Sequence, residues 1–235
     1  MTTPADQIAT NIRRFTGEWH DELARLGRSP DSVVIVAVAK TMPPEAVNAA
    51  ANCGLNDFGE NRIQEAKTKI PLVQTASRAR WHLVGHLQTN KAKDAVALFD
   101  LIQSVDSSEL AQALDYRAAL FGKRKEILLQ VNTTAEAQKS GCDPAALDDL
   151  IAGVVPLLHL RIMGLMTIGP FVADRAPIER ACRLLRREFD RLAGIDLHGG
   201  EMRHCSMGMT DDWRIALAEG STMLRIGRAI FGERH

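Results

Sequence analysis

The chain has 235 residues, 46% of them hydrophobic and 25% charged, with 29 basic side chains set against 29 acidic ones. That is enough apolar material for one large core, and α/β barrels commonly reach this length as a single domain. A net charge of zero lacks the electrostatic footprint of a nucleic-acid or anionic-membrane binder, while leaving room for a local basic patch that holds one phosphate-bearing metabolite.

Ile8, Ile12, Phe15, Trp19, Leu23 and Leu26 recur at three- and four-residue steps and predict an amphipathic helix. Thr3 before Pro4 suits its start, and Gly27 its stop. The pattern then alternates. "VVIVAVAK" reads as a buried strand and "PPEAVNAAANCG" as a helix. A strand around "NDFGE" precedes a helix around "RIQEAKTKI". "WHLVGH" and "NKAKDAVALF" make the third pair; "LIQSVD" and a helix starting near Ser107 or Ser108 make the fourth. "EILLQVN" leads to "DPAALDDLIAGVV", and "LRIMGLMTI" to the long "APIERACRLLRREFDRLA". "MRHCSMGM" is followed by "DDWRIALAEG", and "STMLRIGRAIFG" supplies an eighth strand and a short end.

Strands that read as continuous apolar runs between helices indicate a parallel sheet covered on both faces. Eight such units are the number that closes a (β/α)8 barrel. The expected architecture is that barrel with an extra N-terminal helix: one domain over residues 1–235, with 1–30 packed on the barrel. The rival, an open doubly wound sheet, lacks a G-x-G-x-x-G after the first strand. Cys53, Cys142, Cys182 and Cys205 form no C-x-x-C pair, so free thiols in a reducing cytosol are expected. "MTTPADQIATNIRRF" lacks the apolar core of a signal peptide, and no apolar run is long enough to span a bilayer. A cytoplasmic protein is the expectation.

In a barrel the C-terminal ends of the strands carry the site. Lys40 ends the first strand and shares a face with Val34, Val36 and Val38. Partial desolvation at the barrel mouth favours the free amine, which can attack an aldehyde and form a Schiff base. Strands also often end in a solvated lysine, so this segment alone decides nothing. The loops after strands seven and eight of such barrels often bind phosphate. Ser206, Gly208 and Thr210 stand in the first of them, and Gly227 and Arg228 in the second; Thr210, Asp211 or Asp212 is placed to cap the following helix. An aspartate pointing toward a phosphate there would repel it. A lysine and two small-residue loops together suggest an aldehyde-and-phosphate ligand, pyridoxal 5′-phosphate.

The stretches "AVAKT", "FGENRIQEA", "WHLVGHLQTNK", "SVDS", "QVN", "GLMTIG", "SMGMTDDW" and "GSTMLRIGRAIFGER" resemble, in order and spacing, the pyridoxal phosphate homeostasis protein family, whose barrel is shared with the N-terminal domain of alanine racemase. The resemblance runs from about Val33 to Arg234. It implies that Lys40 carries the cofactor and that Arg225 faces the pyridine nitrogen. It implies phosphate contacts from Ser206 and Gly227, with Thr210 and Arg228 in the same loops and Asn61 in the pocket. The chain departs from many members at Ala39, where they have serine, and at Arg62, where they have tyrosine and where the pocket rim could differ.

A guanidinium cannot give up its proton, so Arg225 can only donate to the pyridine nitrogen, which makes the ring a weaker electron sink. The expected function, as the resemblance implies, is a carrier or buffer of pyridoxal phosphate in vitamin B6 and amino-acid homeostasis. A monomer is expected, with cofactor-accepting apo-enzymes as its partners. The alternatives are an amino-acid racemase or related pyridoxal-phosphate enzyme, and a sugar-phosphate aldolase that uses Lys40. Racemisation needs a second base. Tyr116, the only tyrosine, falls in a helix outside the barrel, leaving His86 and Cys205 as substitutes. His82 and His86, read on one strand, share a face without a third metal ligand. "FGKRKE" reads as a solvated turn, Met163 and Met166 as core or pocket wall, and Trp81 and Trp213 as packing anchors.

Overall fold

The computed structural model describes residues 3–134, 136 and 138–233. Arg234, where the family resemblance ends, lies outside the described residues. Helix α1 spans Pro4–Arg25; Thr3 accepts from the Asp6 amide, and Asp6 reaches back to the Thr3 amide. This reciprocal cap satisfies two amides that the first turn leaves open. Past the helix end, Gly27 takes the left-handed φ of 65°.

Among the described residues, eight strands alternate with eight further α-helices. They are β1 Val34–Val38, α2 Pro44–Asn52, β2 Asp57–Glu60, α3 Ile63–Lys69, β3 Arg80–Leu83, α4 Ala92–Leu98, β4 Leu101–Val105 and α5 Ser108–Leu120. After them come β5 Lys125–Gln130, α6 Leu147–Val154, β6 Leu160–Met166, α7 Arg175–Leu192, β7 His204–Ser206, α8 Trp213–Ala218, β8 Met223–Ile226 and α9 Arg228–Phe231. All strand pairs are parallel, and β8 closes on β1 to complete the barrel.

The two-residue period of each strand sorts its side chains into two layers. Val36, Leu101, Leu128, Met163, Met166 and Met223 fill the barrel together with Val34 and Ile168. Ala37, Phe58, Leu83, Ile102, Ile127 and Leu224 face outward into the larger core with the helices. Helix α1 adds Ile8, Ile12, Phe15, Trp19 and Leu23 to that core. Phe15 meets Trp213 edge-on with ring centroids 5.4 Å apart, and Asn11 donates to the Ile230 carbonyl at 3.1 Å.

Three boundaries differ from the sequence reading. Strand β3 ends at Leu83, so His86 falls in the following loop and does not share a strand face with His82. Strand β7 is only three residues long. Gly208 bends away soon after it at φ 95°, where a Cβ would come within 2.5 Å of Ala216 and 2.9 Å of Leu224. Helix α6 begins at Leu147 because Pro144–Ala146 form a separate 3-10 turn that the Asp143 side chain caps through the Ala145 amide.

Candidate functional site at the C-terminal mouth of the barrel

Val34 and Val36 point into the barrel, and the same alternation brings Val38 and Lys40 to its C-terminal mouth, where both line a cavity of about 500 Å³. That volume suits a small cofactor. The turn that places Lys40 is held on both sides. Thr41 adopts a φ of 65°, uncommon for a β-branched residue. The Lys69 ammonium donates to the Ala39 carbonyl at 2.7 Å and pairs with Glu60 at 2.7 Å, both ionic groups being buried. Burial pushes the Glu60 carboxyl up to about 7 against the pull of Lys69.

Six of the seven predicted site residues line this one cavity: Lys40, Asn61, Thr210, Arg225, Gly227 and Arg228. Ser206 does not. It is fully buried inside the barrel, where its hydroxyl donates to Gln103 Oε1 at 2.7 Å and accepts from Arg225 Nη1 at 2.6 Å. The other end of the Arg225 guanidinium donates through Nη2 to the Thr167 carbonyl at 2.6 Å. Burial lowers the Arg225 pKa to about 10, so the group stays a cation at neutral pH.

The two loops meet where the Gly227 amide donates to Thr210 Oγ at 3.4 Å. The protein itself does not require glycine there: φ is −109°, and an added Cβ would meet nothing closer than the Val38 carbonyl at 3.5 Å. The space a Cβ would fill belongs to the cavity, and it lets a ligand approach the backbone. Neither aspartate of the loop is left to repel an anion. Asp211 pairs with Arg228, and Asp212 accepts from the Met209 amide at 2.5 Å rather than capping α8 with its side chain. Arg228 also lies 3.7 Å from Glu233, so its side chain is committed to carboxylates.

The other candidates lie elsewhere. The His86 side chain is exposed and sits 3.3 Å from Ser140 Oγ. Tyr116 is exposed on α5. Cys205 faces the outer core, and burial pushes its thiol up to about 12. Arg62 is exposed and does not line the cavity. A larger, more apolar groove of about 950 Å³ runs between α1, the β1–α2 loop and α9, but it contains neither Lys40 nor Arg225.

The alanine racemase N-terminal domain model matches residues 19–235. The pyridoxal phosphate homeostasis protein of Pseudomonas aeruginosa is 38% identical over 233 residues, covering 97% of this chain and 96% of that one. The chain belongs to the pyridoxal phosphate homeostasis protein family. Among solved structures, a protein of unknown function from Bifidobacterium adolescentis is 34% identical with a TM-score of 0.90, covering 97% of this chain and 95% of its own. PipY of Synechococcus elongatus, solved with pyridoxal phosphate bound, is 37% identical with a TM-score of 0.79, covering 90% of this chain and 99% of its own.

Sequence reasoning missed the residues that hold the candidate site in shape. Gln103 and Thr167 support Arg225 and Ser206, and Lys69 supports the turn before Lys40. Gln103 carried a usable signal: it is a polar residue at the inward position of the apolar strand "LIQSVD". Lys69 carried none, since a lysine closing a helix reads as solvated. Phe171, 77% exposed, lines the cavity from the β6–α7 loop, where an aromatic residue read alone has no special meaning.

Proposed function

We propose that the chain binds pyridoxal 5′-phosphate in this cavity, with Lys40 as the covalent anchor. The lysine amine condenses with the cofactor aldehyde, a C=N bond forms and one water leaves. The observation that carries the proposal is the convergence of Lys40, Arg225, Thr210 and Gly227 on one cavity. These groups come from opposite ends of the chain and match the two poles of an aldehyde phosphate. The donor set fits the cofactor. Arg225 is a donor-only group for a ring nitrogen. The weak Gly227–Thr210 contact can be given up to a phosphate oxygen, and the Gly227 and Arg228 amides supply N–H groups beside it. We assign the phosphate to Thr210 and these amides rather than to Ser206, whose hydroxyl is committed inside the barrel.

The physiological role we propose is a cytosolic monomer that carries or buffers the cofactor and yields it to apo-enzymes in vitamin B6 and amino-acid homeostasis. A buried cationic arginine opposite the ring nitrogen supports holding over turnover, because it disfavours protonation of the ring. The four unpaired thiols suit a reducing compartment.

The test is borohydride reduction of the protein loaded with pyridoxal phosphate, followed by peptide mass mapping. The fixed adduct is expected on Lys40 and is expected to be lost in Lys40→Ala. An adduct on Lys67, Lys69 or Lys91 instead would refute the assignment.

A further inference from the structure

A continuous chain of side-chain hydrogen bonds runs through the barrel from its floor to Arg225. Asp57 opens β2 at the N-terminal end of the barrel, with its side chain 24% exposed. His82 Nε2 lies 2.8 Å from Asp57 Oδ1, and its Nδ1 lies 2.9 Å from Gln103 Nε2. Gln103 Oε1 accepts from Ser206, and Ser206 accepts from Arg225. His82, Gln103 and Ser206 are fully buried.

The two ends dictate its direction. A guanidinium can only donate and a carboxylate can only accept. Ser206 therefore takes a hydrogen from Arg225 and passes its own to Gln103 Oε1. That leaves the Gln103 amide N–H for His82 Nδ1, and His82 must carry its proton on Nε2, facing Asp57. Turning the Gln103 amide round would put its oxygen against Nδ1. The proton would then have to sit on Nδ1, leaving the Nε2 lone pair against a carboxylate, or a second proton would have to enter a fully buried ring. Burial holds the His82 pKa below its ordinary value, which opposes the second option. One orientation remains in which each link of the chain pairs a donor with an acceptor.

We infer that His82 and Gln103 are positioning residues: with Ser206 they form a one-way relay from Asp57 that fixes the Arg225 guanidinium for the cofactor ring nitrogen. The inference rests on the cofactor reading above. It assigns the family's "WH" histidine a role at the ring nitrogen although it lies in the barrel interior and does not line the cavity. With the relay intact, Ser206 presents a lone pair to Arg225 Nη1. Without His82, the Gln103 amide keeps only the weak contact of Nε2 with Met223 Sδ at 3.2 Å, so Ser206 is held less firmly in direction and Thr167 carries most of the restraint on the guanidinium.

The experiment compares binding of pyridoxal 5′-phosphate with that of an analogue whose ring nitrogen is replaced by C–H. The wild-type chain is expected to prefer the natural cofactor by about tenfold or more, the worth of one hydrogen bond to a charged group. In His82→Phe that preference is expected to fall several-fold while affinity for the analogue stays close to wild type. An unchanged preference, including an equal loss for both ligands as a purely structural role would give, would overturn the relay. If His82→Phe does not fold, Gln103→Met takes its place with the same expectations. Nitrogen NMR of the wild-type imidazole provides an independent check: the neutral Nε2–H tautomer is expected, and an Nδ1–H tautomer or an imidazolium would overturn the relay. Failure of the wild-type chain to bind either ligand would sink the cofactor reading, and this inference with it; an unchanged preference with binding intact would sink the relay alone.

Discussion

At the residue scale, Ser206 and Gly227 make opposite predictions. The Ser206 hydroxyl lies below the cavity and holds Arg225. Ser206→Ala should therefore weaken pyridoxal and pyridoxal 5′-phosphate by similar factors, within the roughly tenfold that the Arg225 bond to the ring nitrogen is worth. Calorimetric titration with both ligands checks this, and a loss confined to the phosphorylated ligand would return Ser206 to the phosphate. Gly227→Ala should leave stability within about 0.5 kcal/mol, because φ is ordinary and the new methyl meets no protein atom closer than 3.5 Å. The methyl would intrude on the space where phosphate approaches the backbone. Binding of pyridoxal 5′-phosphate should drop by at least about tenfold, roughly 1.4 kcal/mol, while unphosphorylated pyridoxal is little changed.

At the scale of elements, the end of β2 and the end of α3 hold the Lys40 turn through one buried ion pair. Glu60 Oε1 bonds Lys69, while Oε2 has no hydrogen-bond partner among the described residues. The folded carboxyl titrates at about 7 against an ordinary value of 4.5, so the native state holds this proton more tightly than the unfolded chain does. Its contribution to stability is full below the ordinary value and is lost as pH rises from 4.5 to about 7. The loss is on the order of 3 kcal/mol at most. Urea unfolding at pH 5 and pH 8 should show this component in the wild type and a flatter difference in Glu60→Gln. An identical pH dependence in both would place the Glu60 pKa near its ordinary value.

For the molecule as a whole, the proposed carrier role predicts binding without turnover. Racemisation moves a proton to and from both faces of one carbon, so a second group must oppose the lysine. Tyr116 is exposed on α5, Cys205 faces the outer core and His86 sits in an exposed loop. The cavity's acidic residues, Asp211 and Glu233, are drawn to Arg228. The chain loaded with cofactor and incubated in D₂O with single enantiomers of common amino acids should therefore show α-deuteration with inversion no faster than free cofactor. Rapid exchange with inversion, lost in Lys40→Ala, would establish an enzyme.

The alternation of apolar runs with helical stripes specified the barrel, because a strand buried on both sides reads as a largely apolar run and a covering helix needs only one apolar face. The two-residue period also brought Lys40 to the mouth in register with Val34, Val36 and Val38, and the loops after β7 and β8 were marked by their small residues. Only the closed barrel decided which polar residues share its interior. Asp57, His82, Gln103, Ser206 and Arg225 come from five different strands, and their meeting depends on stagger and register that no local pattern encodes. The same limit hid Lys69, whose ammonium is buried because α3 carries it back over the end of β1. Ser206 and Thr210 stand four residues apart in one motif and read alike as hydroxyls. The turn at Gly208 sends one into the barrel and the other into the cavity, because strand pairing ends between them.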